Sequence, residues 1–357
     1  MAYLPQRLRL VRIGVPRSGA AENARFLFVG NAAAPIEAII LDPDVAIPAP
    51  ALPRPGRPFR LHVLHINDLH GRISQLELPG SPPILSRIAG RLQELRRRCQ
   101  VDPNSAVLML SAGDELAGSA FDDVAFGDIA HPVYHLYGPM GMDAVVLGNH
   151  DFDLGPARLA AAIRNHTHFP VLCANLAPSP ELEGLVHPAA LLVVKGVRVG
   201  IVGVTTPAQP QGWPDIRLLD PVQALHNIIP ALQPLCDVLI VLSHLGLRLE
   251  SSSAGVVLAG DVELAESLPR GAVHLIVGGH THLALNNDGL EADNIVNGIP
   301  MVQAGSIGRF LGEATISING AAALTDARLV PVQDLLVDDT FEAEAVLPLL
   351  ELSLIHI

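Results

Sequence analysis

Short apolar runs set the rhythm of this chain. From Phe59 onward RLHVLHI, AVLML, AVVL, PVLCANL, ALLVV, RVGIVGV, DVLIVL and VHLIVG recur, each with little internal polarity, the pattern of strands buried on both faces. Between several of them lie stretches with helical spacing of apolar positions: SPPILSRIAGRLQELRRR, GPARLAAAIRNH and DPVQALHNIIPAL. This alternation predicts an α/β architecture. PMVQAG and FLGEATISING follow as strands with no helix between them, so the sheets are expected to be mixed.

Before Phe59 the pattern changes. RLRLVRIGV, ARFLFV and IEAIIL, separated by Gly, Pro and Asn signals, predict a small β-rich extension over residues 1–41. DPDVAIPAPALPRPGRP, with six prolines from Pro43 to Pro58, predicts an extended, semi-rigid linker over 42–58. The main domain is then expected over 59–330. Residues 331–357 form a tail whose apolar end, LLELSLIHI, suggests the start of a truncated second domain. At 357 residues and 49% apolar content, the chain can bury a large core.

Charge and composition narrow the chemistry. A net charge of −13 argues against a broad basic surface for nucleic acid, so a phosphate-bearing substrate must be drawn by local charge. Cys99, Cys173 and Cys236 are too few and too scattered for a disulfide framework or a thiolate metal site, and read as small buried hydrophobes. Lys195 is the sole lysine, which leaves no G-x-x-x-x-G-K phosphate loop and little scope for Schiff-base chemistry; no G-x-S-x-G elbow is present either. The start, MAYLPQRLRLVRIGV, lacks an uninterrupted apolar stretch of secretory-signal type, and no run reaches membrane-spanning length. Read literally, this predicts a soluble, cytoplasmic protein. Arg96, Arg97 and Arg98 close a predicted helix, where positive charge complements the dipole.

Five segments share one arrangement, an apolar strand ending in a polar group that can bind metal. VLHINDLH offers Asp68 and His70, two apart, a spacing that in extended backbone sends both side chains to one side. LMLSAGDE places Asp114 after a turn at Gly113, and a carboxylate there has two oxygens with which to bridge two ions. VVLGNHDFD supplies Asn149, His150 and Asp153; LIVLSHLG supplies His244; LIVGGHTH supplies His280 and His282, again two apart. Each segment alone is weak, because a lone His or Asp after a strand is usually a hydrogen-bonded loop residue. In open α/β sheets, however, sites assemble at the carboxyl ends of strands, so the five can converge.

In this order, D-x-H, GD, GNHD, a solitary H and GHTH resemble the calcineurin-like metallophosphoesterase superfamily. More closely, NDLHGR, SAGDE, LGNHDFD, CANL, SHLG and GGHTH resemble its 5′-nucleotidase branch, over roughly residues 59–330. The resemblance implies a four-layer α/β/β/α sandwich with two divalent metal ions at its edge. Asp68, His70 and His282 would hold one ion, Asn149, His244 and His280 the other, and Asp114 would bridge them. His150 would be an unligated catalytic histidine oriented by Asp153, and Asn175 in CANL would lie near the phosphate. The reaction implied is in-line hydrolysis of a small phosphate ester, a nucleotide foremost. Two carboxylates and a hydroxide do not cancel two divalent ions, and the neutral Asn149 preserves that positive excess. Imidazole and oxygen ligands without sulfur fit Mn, Fe, Co or Zn alike.

His62 and His65 alternate with apolar residues and are expected to be packed or hydrogen-bonded, although His65 lies close enough to Asp68 to support it; His131, His135, His166, His168, His187, His226 and His274 are expected to be structural. Arg72 and Arg309 could meet a phosphate, although an arginine facing solvent is commoner. In the family, a second C-terminal domain supplies base-stacking aromatics and nucleotide-holding arginines, and its counterpart is not recognised before Ile357. The alternatives are a cyclic nucleotide or nucleotide-sugar substrate on the same centre, and a non-enzymatic scaffold, which would be expected to have lost ligands. The branch also contains periplasmic and secreted members, so a misassigned N-terminus would change the predicted location.

Overall fold

The computed structural model describes residues 6–13, 23–43, 45–49, 57–76, 80–116, 131–153, 155–207, 213–251 and 257–355. Its strands, in chain order, are β1 (Gln6–Ile13), β2 (Ala24–Val29), β3 (Ile36–Leu41), β4 (Phe59–Ile66), β5 (Ser105–Ser111), β6 (Ala144–Val146), β7 (Val171–Leu172), β8 (Ala189–Val194), β9 (Val197–Thr205) and β10 (Val238–His244). The small pair β11 (Glu250–Ser251) and β12 (Val257–Leu258) follows, then β13 (Leu275–Gly278), β14 (Ile295–Val296), β15 (Ile299–Val302), β16 (Phe310–Asn319) and β17 (Ala321–Pro331). The principal helices are α1 (Leu85–Val101), α2 (Pro132–Met140), α3 (Pro156–His166), α4 (Pro221–Leu232) and α5 (Asp261–Ser267); the short turn α6 (Asp339–Phe341) and α7 (Leu347–Ile355) close the chain.

Two mixed sheets stack face to face. One has the order β17-β16-β4-β5-β6-β7 and the other β14-β15-β13-β10-β9-β8-β2-β1-β3. Strands β4 to β7 are mutually parallel, as are β9, β10, β13 and β15, whereas β16 and β8 run against their neighbours. Leu61, Val63, Leu108 and Leu110 of the first sheet meet Val199, Ile201, Ile240 and Leu242 of the second in a core between the sheets. Separate apolar layers lie under α1, α2 and α3 on one outer face and under α4 and α5 on the other. This is the four-layer α/β/β/α sandwich. It also explains why β9 is buried at every position: it has apolar layers on both faces.

The helices follow from local chemistry. In α1, Leu85, Ile88, Ala89, Leu92, Leu95 and Cys99 recur at helical spacing and are the buried face. Helix α4 starts where the Asp220 carboxylate accepts from Val222 and Gln223 N–H and Pro221 occupies the first turn.

Both ends of the chain are built into this frame. Strand β2 pairs with β8 and β1 with β2, so the N-terminal strands extend the nine-stranded sheet, and Leu8, Leu10, Phe26 and Phe28 enter its outer core. They share that core because β2 offers an alternating apolar face to an otherwise open edge at β8. Of the Pro-rich linker, residues 44 and 50–56 lie outside the described residues. At the other end, Phe341, Val346, Leu349 and Leu350 pack into the layer under α1, and Asp338 N–H donates to Ser86 O at 2.8 Å. Among the described residues no helix is long and apolar enough to cross a membrane. Cys99, Cys173 and Cys236 are free thiols, and burial pushes Cys173 and Cys236 up to about 12.

Candidate metal centre

The carboxyl ends of β4, β5, β6, β10 and β13 meet at one edge of the sandwich, and the turns that leave them bring the sequence-derived residues together. Backbone bonds hold the first two turns side by side beyond the strand ends: Asp68 N–H to Gly113 O at 2.8 Å, His70 N–H to Asp114 O at 3.0 Å and Gly71 N–H to Glu115 O at 2.8 Å. The route is not the extended one that the D-x-H spacing suggests. Asp68, His70, Asp114, His280 and His282 all have left-handed backbone, with φ of 50°, 51°, 57°, 76° and 56°. Side chains two apart converge because both residues turn left-handed, a conformation that L-residues adopt only at a cost and that clusters at functional sites.

Two groups of ligand-capable atoms result, Asp68 with His70 and His282, and Asp114 with His244 and His280, each group's atoms lying within 4.8 Å of one another. His70 Nε2 and His282 Nε2 face each other at 3.1 Å, and His282 Nε2 lies 3.3 Å from Asp68 Oδ1. His244 Nε2 lies 3.0 Å from Asp114 Oδ2, yet without the alignment of a hydrogen bond. Gly279 separates the groups: a Cβ there would sit 2.9 Å from His244 Nδ1 and 3.2 Å from Asp68 Oδ2. Gly148 is similarly required, because its Cβ would come within 2.1 Å of Asp114 Oδ1. His150 adjoins the first group, its ring centroid 5.5 Å from that of His70, and its Nδ1 is 2.7 Å from Asp153 Oδ2.

The donor set fits cations. His244 Nδ1 is 2.6 Å from Ala112 O and His70 Nδ1 is 3.2 Å from Leu116 O, which places the ring proton on Nδ1 and leaves each Nε2 lone pair for a further ligand. Asn149 Oδ1 and His244 Nε2 are buried without a hydrogen-bond partner among the described residues. Buried acceptors left in this way are costly unless a cation satisfies them. Asp68 and Asp114 are almost wholly buried, so their charges also call for positive counterparts.

The buried carboxylates dominate the electrostatics and draw positive charge to the centre, here onto the His244 ring. Burial disfavours a charge on His244, but the Asp114 carboxylate overrides it and raises the pKa to about 10; Asp114 itself is held low by His244 against its own burial. Burial also opposes charge on His150, and the Asp153 hydrogen bond outweighs it, raising the pKa. Behind the centre Glu115 and Asp151 are both raised, each by burial first and then by a neighbouring carboxylate, Asp151 for the one and Asp114 for the other.

Asp151 carries no role in the sequence reading, yet it organises the centre. Its carboxylate accepts from Gly148, Asp114 and Glu115 N–H at 2.7, 3.2 and 3.0 Å, fastening the β6 turn to the β5 turn. Its presence inside GNHDFD was the available signal. Asn67 is a second such residue: its amide donates to Asp68 Oδ2 and to Gly305 O, both at 2.6 Å. Asp68 is thus supported by Asn67, and His65 is packed as expected. His65 is buried against Gly312, and burial drives its pKa to about 3.

Asn175 follows β7. It is fully buried; its amide donates to Thr205 O and Leu219 O, and its oxygen accepts from Thr205 N–H at 3.0 Å. These bonds clamp the segment after β9. The remaining histidines are structural where bonds are seen: His131 caps α2, His62 meets Thr315, His226 meets Ser267 O and His274 accepts from Leu239 N–H. Arg309 is exposed and Arg72 is partly buried.

The calcineurin-like phosphoesterase family model matches residues 61–284. A 5′-nucleotidase of Vibrio cholerae is 29% identical over 294 residues, covering 77% of this chain and 52% of that protein, so the chain spans about half the length of the curated relatives it matches. A 5′-nucleotidase precursor from Thermus thermophilus superposes with a TM-score of 0.64 at 27% identity, over 84% of this chain and 59% of that one. The calcineurin-like phosphoesterase YfkN from Bacillus subtilis, at 21% identity, shares the fold with a TM-score of 0.65 over 84% of this chain and 100% of its own. With its sandwich and with two clusters of imidazole and carboxylate groups at the matched strand ends, the chain belongs to the calcineurin-like phosphoesterase family.

Proposed function

We propose that this chain is a metal-dependent phosphomonoesterase of the 5′-nucleotidase kind, with residues 59–330 as its catalytic unit. The observation that carries the reading is the convergence of ligand-capable atoms: His70 and His282 Nε2 3.1 Å apart beside Asp68, and Asn149 Oδ1 and His244 Nε2 buried without hydrogen bonds. Asp68, His70 and His282 would hold one divalent ion, Asn149, His244 and His280 the second, and Asp114 both. When bound, the pair supplies a lowered pKa for water and charge compensation on an in-line displacement.

The protein's own groups do the rest. His150 is half-exposed, with Nδ1 tied to Asp153, so Nε2 is the nitrogen left to hold a proton for the departing alkoxide. Asp153 fixes the tautomer and favours the protonated ring. Asp151 and Asn67 keep Asp114 and Asp68 in place, so that positioning does not depend on substrate. The metals are Mn, Fe, Co or Zn by ligand type. Nucleotides are the proposed substrates.

Phosphate release from a panel of nucleoside monophosphates, cyclic nucleotides, nucleotide sugars and aryl phosphates, before and after chelation, tests this. Hydrolysis of the monophosphates that chelation abolishes and divalent ions restore is expected. Turnover that persists in the metal-stripped protein, or confinement to cyclic nucleotides or nucleotide sugars, overturns it.

A further inference from the structure

We infer that Trp213 is the residue that meets the leaving group, making this site selective for esters whose alcohol carries a planar aromatic ring; the inference rests on the phosphomonoesterase reading above. Trp213 is the only tryptophan in the chain and is 37% exposed.

Its position follows from the described residues on either side of it. Strand β9 ends at Thr205, paired with His244, and Thr206 N–H donates to His244 O at 2.9 Å, so the chain leaves from beside one candidate ligand. It returns where Ala177 N–H donates to Arg217 O at 2.9 Å and Leu219 N–H to Asn175 O at 2.7 Å, the clamp already described. Between these anchors Ile216 is buried in the same apolar layer as Phe152, and Ile216 N–H donates to Trp213 O at 3.1 Å. The indole is thereby laid over Gly155, two residues beyond Asp153: a Cβ on Gly155 would lie 2.5 Å from Trp213 Cζ2.

Gly155 opens α3 directly after the turn that holds His150 and Asp153. His150 is the group placed to protonate the departing oxygen, so whatever is attached to that oxygen emerges on the His150 side of the centre. The ring there is large, apolar and partly open, on a protein whose aromatic content is only 4%. Such a surface favours a flat heterocycle or aryl group through stacking and offers nothing comparable to a glycerol or a bare sugar.

Two measurements on the full chain decide it. Because Trp213 is the sole tryptophan, its emission reports directly on the site. Adenosine should quench it saturably and ribose should not; absence of saturable quenching by adenosine, or equal quenching by ribose, overturns the inference. In kinetics on metal-loaded protein, Trp213→Leu should raise KM for adenosine 5′-monophosphate roughly five- to a hundredfold, with kcat within about twofold and KM for ribose 5-phosphate unchanged. Trp213→Phe should retain most of the preference. If both KM values move together, Trp213 has no leaving-group role and the phosphatase reading stands. If the unaltered chain hydrolyses neither ester, the phosphatase reading falls, while the adenosine titration still decides the aromatic contact.

Discussion

His150 Nδ1 lies 2.7 Å from Asp153 Oδ2, in a turn so tight that Asp153 N–H also donates to His150 O at 3.0 Å. The imidazole is held at the rim of the candidate metal centre without belonging to either ligand group. That separation makes its role testable apart from metal binding. His150→Ala should keep both ions and slow phosphate release by ~10²–10⁴. Loss of metal, read by elemental analysis, would place His150 among the ligands instead.

Asp114 should behave in the opposite way. It is the carboxylate proposed to face both ions, and Asp114→Asn removes the charge that the two share. Metal content should fall at both positions and turnover should drop by at least roughly a hundredfold. Unchanged stoichiometry on dialysis would count against the bridging role.

Asp151 should be felt as stability as well as activity. Asp151→Ala leaves the Gly148, Asp114 and Glu115 N–H groups buried without their acceptor, a loss of about 2–4 kcal/mol. Urea unfolding measures it directly. A variant as stable as the parent would mean that these amides find other partners.

Much of this centre is legible in the sequence, because divalent ions accept few residue types and those types stand at the ends of unmistakable apolar strands. The path of the chain is not. The two-residue spacing of Asp68 and His70 implies extended backbone, whereas both residues are left-handed, so the pair meets through a different geometry. The work of Asp151 is equally hidden, since it depends on amides contributed by two separate turns. Asn175 is similar: the motif marks its position, while its bonds to Thr205 and Leu219 depend on segments distant in sequence. The place of β1–β3 in the second sheet is a long-range pairing that no local pattern states.

Acid should weaken a second device remote from the centre. Glu313 on β16 bonds Arg91 of α1 at 2.6 Å and Arg328 of β17 at 2.7 Å, tying the helical layer to the hairpin. Burial works against its charge, but the two guanidinium groups override that and lower its pKa. The folded value lies below the unfolded one, so the stabilisation is complete above the unfolded carboxyl pKa of about 4.3 and is lost as pH falls through the folded value. Glu313→Gln should therefore cost ~1.5–3 kcal/mol at pH 7, and the difference should shrink towards nothing in strong acid. A pH-independent gap in denaturant melts would show that packing, and not charge, is responsible.

The central claim is that two cations share Asp114 at the edge where the sheets meet. Anomalous diffraction from crystals grown with Mn²⁺ tests it most directly. The account predicts two peaks flanking the Asp114 carboxylate, one against Asp68, His70 and His282 and the other against Asn149, His244 and His280. A single peak, or peaks away from these side chains, would contradict it.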